Sequence, residues 1–475
     1  MNILMIGNGF DLAHGLPTQY KDFLMFAKMV KVAVKIMGIE NQIPTNKKEF
    51  EDWNDDIESL QCSNLDSIFS SLVSNKVSDK EKQKFEGIKD YVVNIFVQGD
   101  MAIRKKLVYY THNNFWIEYF IQCPMYQKEN WIDFESEIKD VIESFNNDMR
   151  NSLTEIRIND EAMRNKMSNE FLRDYFIVDM DKLTQEQNML VYEKVKEQGL
   201  NMQEYSDYIH KYREENPIED SPSITYKAII EKLDNDLNRL ILALEIYLYD
   251  YVEKIEIMEK SPDINEIITG IGQNDILRII SFNYTHTCEK LYQKKVNIKE
   301  DKTNYDYLHG ETLKTENNMV LGIDEYLPSD RENKEIDFIA FKKYFQRIFK
   351  GTGCRYRDWI DIILSRREKE KNIRQQKNIH EDEHIPFDCF GKDYRHMLYI
   401  FGHSLDMTDK DVLRDLILND NVKTIIYYLD SDDLKSKIAN LVKVIHQDEL
   451  IRRTGGGART IEFRLQKDME KKDAK

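Results

Sequence analysis

The apolar positions of this chain gather into a few short runs, separated by long stretches with helical spacing. Asn2–Ile6 opens as a buried run that stops abruptly at Gly7-Asn8-Gly9. Similar runs recur at Ile276–Ser281, Tyr305–Leu308, His396–Phe401 and Lys423–Leu429. Short continuous apolar runs bounded by turn residues predict buried strands of a parallel sheet. Between them the period becomes helical. Tyr20, Phe23, Leu24, Ala27 and Val30 share one helix face, with Thr18 as the expected N-cap. Residues 82–122 read as aromatic-rich helix, and Trp131–Phe145 keeps a clear helical period. Residues 155–260 are acidic and polar and are expected to be helical, with the apolar Leu240–Tyr251 segment near their end. Residues 338–378 predict two helices split at Gly351-Thr352-Gly353. The expected fold class is α/β, a Rossmann-like, mostly parallel sheet whose strands come from both ends of the sequence. Residues 1–30 and 270–450 form its nucleotide-binding domain, 31–269 a mainly helical insertion, and 451–475 a turn and charged tail.

Four of the predicted strands end in polar or glycine turns. Gly7-Asn8-Gly9 is the usual opening of a nucleotide-binding sheet, because glycine lets phosphate approach main-chain N–H groups. The third glycine of G-x-G-x-x-G is absent, since Leu12 holds its place, and the connection runs on to Thr18. A loop of that length can close over a ligand. The other turns carry Asn283, His309, and Gly402-His403-Ser404-Leu405-Asp406, the last followed by a helix capped near Thr408. Taken alone, an Asn after a strand is a turn former and a lone His a satisfied structural residue. Loops at the carboxyl ends of parallel strands converge on one crevice, which makes the four turns candidates for one site.

Composition narrows the function classes. The 475 residues carry 32% charged side chains and a net charge of −17, which argues against general affinity for nucleic acid or anionic membrane. The basic run Arg366–Lys377 reads as a solvated helix face. Only 8 prolines and 18 glycines are present, in keeping with long helices. Cys62, Cys123, Cys288, Cys354 and Cys389 form no C-x-x-C pair, the usage of a reducing cytoplasm without disulfides or a four-cysteine zinc module. No signal peptide is recognisable, and no stretch approaches the roughly 18 apolar residues of a membrane helix. His380-Glu381-Asp382-Glu383-His384 matches H-E-x-x-H, but its charged surroundings and Pro386 argue against a packed zincin helix, and no metal is expected. Asp133, Glu137 and Lys139 loosely resemble a nuclease cluster, yet they lie on one expected helix, where pairing along its surface is the better reading.

The opening NILMIGNGFDLAHGLPTQYKDFL closely resembles the signature of the AbiH family of bacteriophage abortive-infection proteins. The resemblance continues through WIDFESEI (131–138), SFNYT (281–285), LHG (308–310), AFKKYFQRIFKGTG (340–353) and FGHSLDMTDKDVLRDLI (401–417). AbiH proteins in turn resemble the sirtuin-like NAD-binding fold. That resemblance implies NAD as substrate or ligand. It implies that Gly7, Gly9, Gly402 and Ser404 bind the nucleotide and that Asn283 and His309 carry catalysis; Asn8, Phe10, His403 and Asp406 are expected beside them at the nucleotide, and Asp11 beside the catalytic pair. Asp11 and Asp406 belong to the AbiH pattern itself, and Asp11 is expected to orient His309 or to hold a ribose hydroxyl. Without the sirtuin zinc module, protein deacetylation is disfavoured. Asn8-Gly9-Phe10-Asp11 also departs from the small-residue loop of sirtuins. The implied activity is hydrolysis of the nicotinamide–ribose bond, depleting NAD in an infected cytoplasm. The alternatives are a non-catalytic nucleotide-sensing module and, less favoured, a nucleic-acid-targeting toxin. The helical insertion and residues 311–395 are the candidates for sensing a phage-derived trigger or for homo-oligomer contacts.

Overall fold

The computed structural model describes residues 1–53, 65–70, 79–123, 126, 132–144, 226–271, 276–292, 304–313, 316–324, 336–381, 383–456 and 459–471. Six strands, β1 (Asn2–Ile6), β2 (Leu277–Ser281), β3 (Tyr305–Tyr307), β4 (His396–Phe401), β5 (Val422–Tyr428) and β6 (Ile461–Leu465), form one sheet. Its order is β3-β2-β1-β4-β5-β6, and every pairing is parallel. This is the order of a doubly wound dinucleotide-binding sheet, with the topological switch between β1 and β4.

Both faces of the sheet are covered, which is why the strands read as unbroken apolar runs. Ile3 and Met5 point to one face, with Ile280, Leu398 and Ile400, against Trp359, Ile363, Leu413 and Leu416. Leu4 and Ile6 point to the other, with Ile279 and Phe401, against Phe10, Ile264, Ile268 and Tyr292. This is the period of two that a pleated strand imposes.

Register brings the strand ends level. Ile6 pairs with Ser281 on one side and Phe401 on the other, and Ser281 pairs with Tyr307. Gly7, Phe282, Leu308 and Gly402 therefore each follow the last paired residue at the same edge, and the polar turns lie just beyond.

Several connections differ from expectation. A short helix, α1 (Asn8–Ala13), begins directly after Gly7, where a long open loop was expected. The next helix, α2 (Tyr20–Met37), is capped by Gln19 in a capping box with Asp22, while Thr18 donates its hydroxyl to Asn8 Oδ1 at 2.6 Å. Residues 82–122 divide among three helices, Asp79–Val97, Met101–Thr111 and Phe115–Gln122. The helix expected over Trp131–Phe145 is α3 (Phe134–Glu143), and Trp131 and Phe145 lie outside the described residues. Most of the 155–260 stretch is likewise outside them. Its described end is α4 (Tyr226–Ile246), followed by a π-turn at Tyr247–Tyr251. Residues 338–378 hold three α-helices where two helices were expected, α5 (Lys343–Lys350), Tyr356–Leu364 and Arg367–Lys377, after a 3₁₀ turn at Ile339–Phe341. The expected C-terminal turn and tail instead supplies β6, which pairs with β5 after a helix at Gln447–Thr454.

The chain divides into two compact units. One, comprising Met1–Glu135, Asn238–Glu325 and Ile339–Lys475, carries the whole sheet; the other comprises Ser136–Leu237 and Tyr326–Phe338. No helix among the described residues is long and apolar enough to cross a membrane.

Candidate functional site

At the carboxyl edge of the sheet lies a cavity of about 400 Å³, within the usual size of a small-molecule site. Gly7, Asn8, Gly9, Asp11, Asn283, His309, Gly402, His403, Ser404 and Asp406 all line it. The four strand-end turns thus converge on one place. Phe10 does not line it. Its ring is fully buried in the core, 6.1 Å from both Tyr292 and Phe401, so the expected contact of Phe10 with a nucleotide is corrected to a packing role.

The glycines serve a different purpose from the expected phosphate cradle. Gly9 N–H donates to Gly402 O at 2.7 Å, Gly7 N–H to Phe401 O at 3.2 Å, and Phe10 N–H to Gly7 O at 2.8 Å. These amides are spent within the protein. A Cβ on Gly7 would lie 2.8 Å from Gly402 O, and Gly402 itself has φ +68°, with the Phe10 amide directly against the place its Cβ would take. The glycines let the β1 and β4 turns touch backbone to backbone at the switch point.

Asp409, which lies outside the strand-end turns predicted as the site, organises one side of the cavity. Its Oδ1 lies 3.2 Å from His309 Nε2 and 3.2 Å from Lys343 Nζ, while Oδ2 lies 3.4 Å from His403 Nε2. Lys343 also reaches Glu135 at 2.7 Å. All five side chains are buried. Burial pushes the Asp409 carboxyl up, but Lys343, His309 and His403 outweigh it and hold the group well below the usual carboxylate range. Burial, and then the Lys343 charge, pull His309 below its ordinary value despite Asp409. His309 is therefore a neutral imidazole near pH 7. Because its Nε2 faces a carboxylate, that nitrogen carries the proton and Nδ1 keeps the lone pair. Nδ1 has no hydrogen-bond partner among the described residues. His403 accepts the Leu405 N–H at Nδ1, 2.9 Å away, so its Nε2 carries a proton toward Asp409. Phe282 packs edge-on against both imidazoles, at 5.3 and 4.2 Å.

Asp11 does not orient His309 as expected. Its Oδ2 accepts the Thr285 hydroxyl at 2.6 Å, and burial raises its pKa to about 6 although Thr285, Thr287 and Asn283 act the other way. Asp11 Oδ1, Asn283 Oδ1 and Asn283 Nδ2 are buried without a hydrogen-bond partner. Orphaned polar groups at a cavity wall are costly unless a ligand or a shift of the wall satisfies them. The lining also includes the aromatic Tyr20, Phe23, Tyr247, Phe282 and Tyr284 and the acidic Asp133 and Glu135, beside aliphatic residues such as Leu244 and neutral polar ones such as Gln19. No lysine or arginine is among the lining residues.

The H-E-x-x-H match lies elsewhere. Asn378 ends the preceding helix in the left-handed region, φ 54°, so His380 and His384 share no helix face, and His384 bonds Asp420 at 3.0 Å. Among the described residues no group of three or more His, Cys, Asp or Glu side chains is placed to hold a metal ion.

A family model described as bacteriophage abortive infection AbiH matches residues 3–429. No curated protein and no solved structure gives a match. Asp11, Glu135, Asn283, His309, Lys343 and Asp409 all fall within the matched span, which covers most of the chain. The chain belongs to the bacteriophage abortive infection AbiH family.

Proposed function

We propose that this protein acts in abortive infection as an NAD glycohydrolase. The observation that carries this reading is the buried Asp409–His309 pair, which leaves Nδ1 unpartnered on an imidazole that lines a cavity at the switch point of a doubly wound sheet. A water oxygen attacks the ribose carbon as the carbon–nitrogen bond to the pyridinium breaks. Nicotinamide leaves neutral with the bonding electron pair, and the water proton passes to His309 Nδ1 and then to solvent. Asp409 orients the imidazole and stabilises the imidazolium that forms, as a carboxylate does for a catalytic histidine. Asn283 can give and accept one hydrogen bond each to a ribose hydroxyl or to the attacking water. The acid-lined, aromatic cavity suits the cationic pyridinium–ribose end of NAD better than its pyrophosphate. Since the Gly7–Gly9 amides are largely spent, the phosphates need other partners in this reading.

The test is nicotinamide release from NAD by purified protein beside His309→Ala, with NAD content followed in phage-infected cells expressing each. Release and NAD loss confined to the wild type support the proposal. NAD bound but unchanged in both settings would favour the nucleotide-sensing alternative.

A further inference from the structure

Lys343 is a buried ammonium outside the cavity lining, yet it pairs directly with two carboxylates that belong to that lining. Its Nζ lies 3.2 Å from Asp409 Oδ1, the same oxygen that faces His309 Nε2, and 2.7 Å from Glu135 Oε2. Burying a cation is expensive, and a lysine there needs both carboxylates to compensate. The helix that carries it, α5, turns its polar side inward. Lys343 and Gln346 are buried, and Arg347 donates Nε–H to Leu308 O at 3.1 Å, next to His309. Tyr344, Ile348 and Phe349 face outward. A helix that hides its charges and exposes its apolar residues reverses the pattern that core packing favours. Here the inward charges meet the one imidazole of the site that has a ring nitrogen to spare.

We propose that Lys343 is a positioning residue for His309: clamped between Glu135 and Asp409, it fixes the Asp409 carboxylate on His309 Nε2 and keeps the imidazole a neutral base with Nδ1 toward the cavity. The inference deepens the hydrolase reading and rests on it for its catalytic meaning. Facing His309, Asp409 and His403 come from the β4 side, Lys343 and Arg347 from α5, Glu135 from α3, and Tyr284 and Phe282 from the turn after β2. Of these, Lys343 is the cation whose charge falls directly on the shared Asp409 oxygen, as Arg347 stands farther off at 4.0 Å. Without the ammonium, Asp409 faces His309 uncompensated and draws a second proton onto the ring. The base is then lost at neutral pH.

The experiment is histidine ¹⁵N NMR on the full chain, with the His309 signals assigned by their loss in His309→Ala. In the wild type near pH 7, His309 should show a protonated Nε2 and a bare Nδ1. An imidazolium or the opposite tautomer overturns the proposal without any variant. In Lys343→Met the His309 titration midpoint should rise by about one pH unit or more, as loss of an adjacent cation predicts. Lys343→Arg should keep it near the wild-type value. An unmoved midpoint in a folded Lys343→Met protein, or an Arg variant that behaves like Met, overturns the assignment. If Lys343→Met does not fold, Lys343→Gln and the wild-type tautomer carry the decision. These readouts involve no turnover. Absence of NAD hydrolysis with the expected titration would defeat the hydrolase reading and leave the positioning role of Lys343 intact.

Discussion

His309 and Asp409, a hundred residues apart in sequence, meet at 3.2 Å between Nε2 and Oδ1. Three groups share the carboxylate, with Lys343 joining His309 on Oδ1 and His403 facing Oδ2. An amide at 409 would offer one acceptor and one donor, and the donor would face a protonated His403 Nε2 or turn the His309 tautomer around. Asp409→Asn and His309→Ala should therefore each lower nicotinamide release about 100- to 10,000-fold, the usual worth of a positioned general base. Asp409→Asn should leave ligand affinity within a few-fold, because the exchange is nearly isosteric. Release at the wild-type rate in either protein would remove the dyad from the chemistry.

Gly402 makes a second claim, on stability. Its φ of +68° and the Phe10 amide pressed against it leave no room for a side chain. Alanine there must strain the backbone and separate the β1 and β4 turns. A loss of about 2–4 kcal/mol in urea unfolding is expected, in the range of combined strain and lost packing. Gly38→Ala is the comparison. It shares a positive φ of 66° at a helix end but has open space around it, so only the backbone penalty of about 1 kcal/mol applies. Equal losses at the two positions would show that close approach at Gly402 is not what its glycine is for.

The sheet was legible in the sequence because its strands are buried on both faces. Continuous apolar runs located β1 and β4 to the residue and the other central strands to within one position. β6 escaped because it is an edge strand of mixed character, with Arg464 and Leu465 exposed. Its partner β5 also lies across two intervening helices, Ser431–Ile445 and Gln447–Thr454. The four strand-end turns were legible as one site, since parallel register forces their convergence. The roles within it were less so. Gly7 and Gly9 look like a phosphate loop until Gly402 is brought against them, and that contact is non-local. Lys343 and Glu135 lie inside AbiH motifs, yet their pairing with each other and with Asp409 depends on α5 being turned polar side in. A periodicity argument assigns such residues to solvent. Asp409 was hidden by local grammar, because Asp406-Met407-Thr408-Asp409 also reads as a helix cap, and Asp406 does cap there by accepting the Thr408 N–H.

Asp11 predicts a pH dependence of opposite sign to that of a salt-bridged acid. Burial raises its folded-state pKa from 3.8 to about 6. Below 3.8 it is protonated in both states and costs nothing. Between 3.8 and 6 the unfolded chain releases the proton first, so stability falls as pH rises, and the full penalty is present above 6. Asp11→Asn keeps an acceptor for Thr285 without the charge. Its stability relative to wild type should thus improve by about 2 kcal/mol on going from about pH 4.5 to about pH 7.5. A difference that is flat with pH would mean that the carboxyl is solvated or paired in solution.

His286, one residue beyond the cavity-lining Thr285, supplies the complementary case. Its Nδ1 meets Glu253 and its Nε2 meets Glu311, each at 2.8 Å, and Thr312 donates its hydroxyl to Glu253 at 2.6 Å. Burial opposes the imidazolium, but the two carboxylates prevail and raise His286 to about 9. Burial likewise opposes the Glu253 charge, yet its hydrogen bonds hold it at about 2. A base raised in the folded state contributes fully below its unfolded value of 6.5 and loses that contribution as pH climbs through 9. An acid depressed in the folded state contributes above 4.5 and loses it as pH falls through 2. The pair is therefore complete between about pH 4.5 and pH 6.5 and weakens on either side. His286→Gln should cost about 2–3 kcal/mol near pH 6 and much less above about pH 9 in urea unfolding. The cluster ties the Tyr284–His286 turn to the segment after the π-turn, whose Tyr247 and Leu248 line the cavity. The same substitution should consequently weaken ligand binding at neutral pH more than at about pH 9, where the wild type has itself lost the clamp. A penalty that stays constant from neutral to alkaline pH would assign His286 a packing role alone.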